Sequence, residues 1–373
     1  MELTIISHTP HYEFDKKIYG WGSTITEINY LSNLFTKINH IAPLHYTEPP
    51  KSSEQYNSDK INFIPIKPRG GKGFINKIDI IFGIPKHLML ISNYCETSDW
   101  IQFRSPTNMG IYVLPYLRFF SKKKYWVKYA GDWNYKLAPI SYKLQRYWLK
   151  NNFNKSILTI NGRWKGQKNH IMSLENPCLT DKEILRARSI TKKKDYSGKL
   201  ILCFVGLISE KKGLGILISA LKKIKNNNFI EMVYIVGGGS KIEFFKKKVR
   251  IISNIKIKFT GPINRGELNK IYSISHIIVL PSFSEGFPKV IAEASAYGCV
   301  PIVSNVGSLS QYINENNGIL LKNNSVVDVY NAIILLNSKR LFLIKLSAEC
   351  KMLSKHFTYE KYLKSINQII KLK

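Results

Sequence analysis

The second half of the chain alternates short apolar runs with segments whose apolar residues recur at helical spacing. Residues 199–205 form one such run, and residues 214–224 follow as a predicted helix. Further short strands are predicted at residues 232–236, 255–259, 276–280 and 300–303. Short, nearly continuous apolar strands that alternate with helices indicate a parallel sheet covered on both faces. We therefore predict a doubly wound α/β domain.

Glycine-rich or small-residue loops follow these predicted strands. They lie at residues 206, 237–239, 261, 282–286 and 304–307. In an open parallel sheet all such loops lie at the carboxyl edge, which is where ligands bind. A ligand site is therefore expected at this edge.

The first half has the same pattern in a less regular form. A strand is predicted at residues 3–7, then a long loop over 8–22 and a helix over 24–35. Further strands are predicted at residues 61–66, 100–103, 125–129 and 157–161. A second α/β domain fits this pattern. Because the stretch 181–197 is polar and basic, we place the boundary there, with one domain over 1–190 and the other over 198–350.

The composition is that of a globular protein long enough for two domains. The chain has 373 residues, of which 44% are apolar. No apolar run approaches the ~20 residues of a membrane span, and the N-terminus lacks the features of a signal peptide. We therefore expect a cytoplasmic protein. Five scattered cysteines without a C-x-x-C pair predict free buried thiols and no metal site.

The net charge of +31 allows three interpretations: nucleic acid, an anionic membrane surface, or an anionic substrate for a lysine-rich chain. Lys far outnumbers Arg, the basic clusters are scattered, and no nucleic-acid-binding motif is present, so nucleic acid is disfavoured. An anionic lipid surface is the preferred partner, and aromatic-basic stretches such as residues 112–128 are candidates for it. A merely solvated lysine surface is the alternative.

The segment PSFSEGFPKVIAEASAYG, residues 281–298, carries the most chemical information. Glu285 lies in a strand-to-helix loop, and Glu293 lies in a helix whose other residues are mostly apolar or small. A buried carboxylate needs a partner. One interpretation is an ion pair for Glu293 and a favourable helix-dipole position for Glu285. The other is a ligand site, since the amides after Glu285 open a helix N-terminus suited to a diphosphate.

This segment, with Glu285-x7-Glu293, resembles the signature of retaining GT-B glycosyltransferases of glycosyltransferase family 4, the glycosyl transferases group 1. Residues 205–221, VGLISEKKGLGILISAL, resemble the family's phosphate loop and helix, with Lys212 at the position of the phosphate-binding lysine. Weaker matches occur at residues 237–239, 261 and 317–321. The resemblance covers about residues 200–325.

The resemblance implies roles for individual residues of the second domain. Glu293 would hold the nucleotide ribose, and Glu285 would contact the donor sugar. Lys212 would neutralise the departing diphosphate, so that no metal is required. Donor contacts would also come from Gly206, Gly286, Phe287 and Lys289. Leu207 stands where the family usually has an Arg, and Lys211 or Lys289 would compensate. Pro288 replaces a frequent Gly.

The resemblance extends to the first domain at fewer positions. Gly20 and Gly22 would form the family's glycine loop facing the diphosphate. In residues 126–133, WVKYAGDW, Gly131 replaces the family's His, which leaves Asp132 as a catalytic candidate with Glu285 and Lys212. The C-terminal stretch 356–373 resembles the helix that crosses back onto the first domain.

Other residues of the first half have two interpretations each. His8 and His11 could contact an acceptor or a phosphate, or serve in a turn. Arg104 could reach the ligand edge. Residues 163–165, Arg-Trp-Lys, could bind phosphate or membrane, or pack at the surface.

The resemblance implies a GT-B fold, with two Rossmann-like domains facing a central cleft. It also implies metal-independent, retaining transfer of a sugar from a nucleotide-diphosphate donor to an acceptor hydroxyl. No cofactor beyond the donor is expected, and UDP is placed ahead of GDP. The acceptor would be a saccharide or a lipid-linked saccharide in cell-surface polysaccharide or glycolipid assembly, at the inner face of the membrane. The alternatives are a nucleotide-sugar epimerase on the same fold and a non-catalytic binding protein for nucleotide, nucleic acid or an anionic polymer.

Overall fold

The computed structural model describes residues 1–69, 74–192, 194–225 and 228–371. It divides into two compact units, Met1–Leu174 with Leu363–Lys373, and Glu175–Tyr362. Each unit is an α/β structure built on its own sheet.

The first unit is built on a mainly parallel sheet. Its strands are β1 (Glu2–Ile6), β2 (His11–Phe14), β3 (Lys17–Trp21), β4 (Lys37–His45), β5 (Ser53–Gln55), β6 (Ile61–Ile66), β7 (Trp100–Ser105), β8 (Lys124–Tyr129), β9 (Ile157–Ile160) and β10 (Ile171–Ser173). Its helices are α1 (Gly22–Leu31), α2 (Phe74–Thr97), α3 (Gly110–Phe119) and α4 (Ile140–Lys150). The parallel strands run in the order β10-β9-β8-β7-β1-β4, with β6 also paired to β4.

The segment predicted as a long loop over residues 8–22 contains a β-hairpin. Strands β2 and β3 pair antiparallel, with His11 opposite Gly20. The two turn residues, Asp15 and Lys16, have positive φ angles of 49° and 59°. This is the backbone of a tight hairpin turn, which usually carries Asn or Gly. The prediction missed the hairpin because an Asp-Lys turn lacks that signal.

The second unit has a six-stranded, wholly parallel sheet in the order β13-β12-β11-β14-β15-β16. Its strands are β11 (Leu200–Val205), β12 (Ile230–Val236), β13 (Ile257–Gly261), β14 (Ile277–Leu280), β15 (Val300–Ser304) and β16 (Ile319–Leu321). Its helices are α5 (Asp181–Ile190), α6 (Leu214–Lys223), α7 (Ile242–Val249), α8 (Arg265–Ile274), α9 (Lys289–Ala296), α10 (Val326–Ser338) and α11 (Arg340–Leu353). The order reverses at β11, which has β12 on one side and β14 on the other.

Helix α5 belongs to the second unit, although the sequence analysis assigned residues up to 190 to the first. Ile184 and Ala187 of α5 are buried in the core that contains β11. The helix begins with a capping box between Thr180 and Glu183. Its polar residues lie on the solvent side, which made the segment look like a linker. The last helix, α12 (Tyr359–Lys371), spans the division, with Leu363 onward in the first unit.

The prediction of two Rossmann-like α/β domains is confirmed by these two sheets. All five cysteines are free and buried, as predicted. No helix in the described part of the chain is both long and apolar enough to cross a bilayer.

Candidate functional site

Two loops at the carboxyl edge of the second sheet pack closely and share a backbone hydrogen bond. The Phe283 amide, after β14, donates to the Lys211 carbonyl, after β11, at 2.9 Å. Gly213 has a φ of +75°, and a Cβ at this position would lie 1.9 Å from the Pro281 carbonyl oxygen. Only glycine permits this approach. The close packing fixes the backbone on which two predicted site residues stand.

Those two residues, Lys212 and Glu285, form an ion pair. The Lys212 Nζ donates to Glu285 Oε1. The side chains are 27% and 10% exposed, so the pair is partly open to solvent. The structure thus brings together the two predicted catalytic residues of the second domain.

The backbone after Glu285 is held by the loop that follows β15. The carbonyl of Gly286 accepts from both the amide and the hydroxyl of Ser308, at 2.9 and 3.0 Å. Gly307 has a φ of +54°, and a Cβ there would lie 1.9 Å from the Glu285 carbonyl oxygen. Among the residues that the structure describes, neither the Gly286 nor the Phe287 amide donates to a protein acceptor. Two backbone donors beside the N-terminus of α9 are therefore available to an anion.

The ring of Phe287 is not part of this open surface. It is buried and stacks on Phe357, with ring centroids 4.0 Å apart. Phe287 therefore offers a ligand only its backbone amide, as the resemblance implied.

Glu293 lies one turn into α9 with two partners on α8. The Tyr272 hydroxyl donates to Glu293 Oε2 at 3.5 Å, and Arg265 Nη1 lies 4.0 Å from Oε1. Burial raises the pKa of the Glu293 carboxyl, and the Arg265 charge opposes that shift. The long distances leave the carboxylate weakly bound to both partners. The predicted ion pair is present, and oxygens of the same group remain able to accept ligand hydroxyls.

Arg265 is a site residue that the sequence analysis missed. Its guanidinium also bonds Glu183 Oε1, at 3.0 Å, and the Cys178 carbonyl. It is the first residue of α8, directly after the Asn264 cap that pairs with Glu267. That capping box marks the helix start in the sequence, but the ion pair to α5 and α9 depends on tertiary packing.

Gly206 is held by contacts with the neighbouring loop. Its amide donates to Val236 at 3.0 Å, and a Cβ on Gly237 would lie 1.9 Å from the Gly206 carbonyl oxygen. The side chain of Leu207 is 55% exposed and supplies no charge at the position of the family's Arg. Lys289, the first residue of α9, is half-buried next to the Glu285 loop.

The glycines of the first unit have packing roles. A Cβ on Gly20 would lie 2.5 Å from Ile25 and 2.7 Å from the His11 ring. A Cβ on Gly22 would lie 2.4 Å from the Ser52 carbonyl oxygen. Gly20 therefore allows the β2–β3 hairpin to pack closely on α1, and Gly22 allows the start of α1 to approach the segment before β5.

Asp132 lies in the first unit after β8. Its Oδ1 accepts from the Asn134 amide at 3.0 Å, and its carbonyl accepts from Arg146. A Cβ on Gly131 would lie 3.1 Å from Pro106 Cδ, so a larger residue at Gly131 would press on that ring. The close Pro106 ring gives a physical reason for glycine where the family has His.

Arg104 belongs to a buried charge network that the sequence analysis did not predict. The Glu27 Oε1 accepts from Arg104 Nη2 and from Lys128 Nζ, both at 2.5 Å. Arg104 and Lys128 are register partners on β7 and β8, so their side chains lie side by side under α1. Arg104 also donates to Gln102 at 2.9 Å.

His11 belongs to a second buried network. His11 and His40 both hydrogen-bond the Tyr56 hydroxyl, at 2.8 and 2.6 Å, and His40 also bonds Ser7. Burial lowers the pKa of His11 to about 4 and that of His40 well below its usual range. These rings are neutral structural groups. His8 is exposed after β1.

The segment Arg163, Trp164 and Lys165 follows β9. The Trp164 indole donates to the Asn161 carbonyl at 3.0 Å, and its ring packs against the first unit's core. No group of three or more His, Cys, Asp and Glu within the described residues is placed to hold a metal ion.

Comparison with known proteins finds similarity mainly in the second unit. Residues 186–355 match the model of the glycosyl transferases group 1. An uncharacterized glycosyltransferase of Methanocaldococcus jannaschii is 36% identical over 123 residues, which cover 32% of this chain and 31% of the relative. The Escherichia coli UDP-Gal:alpha-D-GlcNAc-diphosphoundecaprenol alpha-1,3-galactosyltransferase is 30% identical over 135 residues, 35% of each chain.

Solved structures resemble the whole chain. Sucrose-phosphate synthase from Thermosynechococcus elongatus matches with a TM-score of 0.75 and 18% identity. The match covers 100% of this chain and 98% of the synthase. The structure of Anabaena HepE in complex with UDP-glucose matches with a TM-score of 0.70 and 12% identity, and the match covers 100% of each chain. The chain thus has the fold of GT-B glycosyltransferases, and residues 186–355 are similar to the glycosyl transferases group 1. It spans 31% and 62% of the length of the first curated relatives.

Proposed function

We propose that this protein is a retaining glycosyltransferase that moves a sugar from a nucleoside diphosphate sugar to an acceptor hydroxyl. The observation that carries the proposal is the Lys212–Glu285 pair beside the unbonded amides of Gly286 and Phe287. A cation and two backbone donors next to a helix N-terminus suit a diphosphate. The match of residues 186–355 to the glycosyl transferases group 1 supports this assignment.

In this proposal the donor lies along the carboxyl edge of the second sheet. Glu293, weakly bound by Arg265 and Tyr272, accepts hydrogen bonds from the ribose hydroxyls. Lys212 and the two amides bind the diphosphate, and Glu285 accepts from hydroxyls of the sugar. UDP is the proposed nucleotide, ahead of GDP, and the complex of HepE with UDP-glucose supports that order.

Transfer forms one bond and breaks another at the same carbon. The acceptor oxygen bonds to the anomeric carbon on the face from which the diphosphate oxygen departs. The diphosphate takes the bonding electron pair, and the acceptor proton passes to its oxygen. Lys212 stabilises the charge that develops on the leaving group, so the proposal requires no metal. Asp132 is proposed as an acceptor-side residue of the first unit.

The proposed acceptor is a saccharide, free or lipid-linked, in the assembly of a cell-surface polysaccharide or glycolipid. The Escherichia coli relative, whose name specifies a diphosphoundecaprenol acceptor, supports the lipid-linked form. We further propose that the protein works in the cytoplasm at the inner face of the membrane, which the net charge of +31 supports.

The test is a transfer assay with a panel of nucleotide sugars and saccharide or lipid-linked acceptors. We expect one donor to be consumed and the product to keep the donor's anomeric configuration by NMR. Lys212→Ala and Glu285→Gln should each lower turnover by about 100-fold to 1000-fold. Lys222→Ala, which removes an exposed lysine of α6, is the matched control and should keep full turnover.

Two results would contradict the proposal. If Lys212→Ala turned over as fast as Lys222→Ala, the ion pair would have no part in catalysis. If a nucleotide sugar were only epimerised, or were bound without transfer to any acceptor, the epimerase or the non-catalytic alternative would replace it.

A further inference from the structure

Helix α4 turns an apolar face to solvent. Ile140, Leu144 and Tyr147 follow one another at i, i+4 and i+7, so they lie on one side of the helix, and all three are exposed. Gln145 and Leu149 lie on the opposite side and are buried. The inner face therefore already anchors α4 to the first unit, and the outer apolar face is not needed for that packing.

The apolar surface continues from α4 onto the end of α3. The ring centroids of Phe119 and Trp148 are 6.3 Å apart. The Phe153 ring lies between Trp148 and Tyr147, with centroid distances of 5.7 and 5.9 Å. We call this surface the α3–α4 strip. Its large apolar side chains are 45% to 81% exposed: Phe119, Phe120, Leu137, Ile140, Leu144, Tyr147 and Phe153. A group of large exposed apolar side chains of this kind is typical of an interaction site.

The chain segment that carries the strip is strongly basic. Residues 100–174 contain 14 Lys and Arg and a single acidic residue, Asp132. On α4, Lys143 and Lys150 are exposed along one edge of the apolar face. At the other end, the Arg118 guanidinium lies over the Phe119 ring, 5.4 Å from its centroid. Any partner of this surface must accept apolar side chains and carry negative charge.

We propose that the α3–α4 strip inserts into the interfacial region of an anionic lipid bilayer. Aromatic and aliphatic side chains flanked by lysines are the composition of interfacial membrane-binding helices, where the rings enter the headgroup region and the lysines contact anionic lipids. A groove of about 570 Å³ opens beside Phe120. Its wall contains Lys122, Lys123 and one carboxylate, Glu96, so its net positive charge suits an anionic headgroup. This inference rests on the proposed function only in its biological setting, the membrane at which the transfer is proposed to take place.

The strip lies largely outside the stretch that the sequence analysis selected for membrane contact. In residues 112–128 the structure buries Tyr112, Tyr125, Trp126 and Lys128. Phe119 and Phe120 are the large apolar residues of that stretch that remain exposed. The apolar face of α4 went unnoticed because its residues are separated by polar ones and form a surface only when the helix folds.

The first test is flotation of the whole protein with vesicles made of equal parts phosphatidylglycerol and phosphatidylcholine. We expect the wild type to float with them, to float less as salt is raised, and to stay behind with pure phosphatidylcholine. The variant Ile140→Gln/Leu144→Gln/Tyr147→Gln should bind at least about tenfold more weakly. Lys143→Gln/Lys150→Gln should weaken binding by about 30-fold and reduce the salt dependence.

The matched control removes exposed apolar residues elsewhere. Ile251→Gln/Leu341→Gln changes two highly exposed side chains of the second unit and should float like the wild type. UDP binding should be unchanged in every variant, which shows that the second unit is folded. Equal flotation of the triple variant and the wild type would overturn the proposal, and so would a wild type that never floats.

A second readout does not depend on weakened binding. An environment-sensitive fluorophore attached through Leu144→Cys should shift to the blue when anionic vesicles are added, and one attached through Leu341→Cys should not. The five native cysteines are buried, which favours labelling of the introduced ones. A dimer in solution that the triple variant dissociates, without vesicle binding, would assign the strip to a second copy of this chain instead. Vesicle binding needs no sugar donor, so its failure leaves the transfer proposal standing.

Discussion

Lys212 and Glu285 lie 73 residues apart in the chain and form an ion pair between the loops that follow β11 and β14. These strands are neighbours at the point where the strand order of the second sheet reverses. A crevice at such a switch point is the usual ligand site of an open α/β sheet. In the proposed function the pair holds the lysine in place before a donor arrives, so that little reorganisation is needed when the diphosphate binds.

Gly307 positions this site without contributing a side chain to it. Gly307→Ala would press its Cβ against the Glu285 carbonyl oxygen, at 1.9 Å in the present geometry, and displace the Glu285–Phe287 backbone. We expect turnover to fall by at least about tenfold, because ångström-scale misplacement of catalytic groups is costly. Steady-state kinetics with the preferred donor measures this.

Gly166→Ala is the matched control for Gly307. Gly166 has a φ of +72°, and a Cβ there has no atom within 4 Å among the described residues. Both variants bear the left-handed backbone cost of about 1 kcal/mol. Only Gly307→Ala should lose turnover. Equal losses in the two variants would show that the backbone cost, and not displacement of Glu285, is responsible.

Glu293 should lower the stability of the folded protein at neutral pH. Its pKa is raised by burial, so the folded state binds the proton more tightly than the unfolded state does. Proton binding by Glu293 therefore contributes fully to the stability of the folded state below the unfolded pKa, near 4.5. This contribution is lost as the pH rises through the raised pKa of the folded state. Glu293→Gln should unfold at a higher temperature than the wild type at pH 7, and the difference should shrink towards pH 4.

Glu183→Gln should change the unfolding temperature at pH 7 in the opposite direction to Glu293→Gln. Glu183 caps α5 and bonds Arg265 at 3.0 Å, so its replacement should lower the unfolding temperature at pH 7. Thermal unfolding of the three proteins across this pH range makes the comparison. If Glu293→Gln were as destabilising as Glu183→Gln, the Arg265 interaction would outweigh the burial of the Glu293 carboxylate.

The network of Glu27, Arg104 and Lys128 should be critical for folding of the first unit. Glu27→Gln would leave two cations, 11% and 5% exposed, beside a neutral amide. Removing one partner from a buried ion pair costs about 3–5 kcal/mol. We expect a loss of that size in the free energy of unfolding, measured by urea denaturation.

The double variant Glu27→Gln/Lys128→Met is the companion to this measurement. It removes one of the two cations together with the carboxylate, so part of the lost stability should return. If Glu27→Gln lowered the free energy of unfolding by less than about 1 kcal/mol, solvent would already screen these charges and the network would not be critical for folding.

The fold class could be predicted because the sequence repeats its strand and helix signals at regular intervals. The apolar runs before Gly206 and Gly237 are both buried parallel strands in the structure. The hairpin before Gly22 was missed because its turn, Asp15-Lys16, has ordinary residues in an unusual conformation. Local composition does not reveal such a turn when neighbouring strands impose it.

The geometry of the candidate site could be predicted in part. Lys212 and Glu285 were identified from motifs, and parallel topology is what brings their loops together. Arg265 and the Glu27 network depend on side chains from distant segments, and no sequence spacing marks them. The packing role of Gly20 likewise appears only when the hairpin lies against α1.

The central claim is that the second unit holds a nucleoside diphosphate at the carboxyl edge of its sheet. Calorimetric titration of UDP, GDP, ADP and CMP into the wild type and Glu293→Ala tests it most directly. We predict that one nucleoside diphosphate, UDP ahead of GDP, binds with a Kd on the order of micromolar and that Glu293→Ala weakens it by at least about tenfold. Absence of binding by all four nucleotides, or equal binding by Glu293→Ala, would contradict the account.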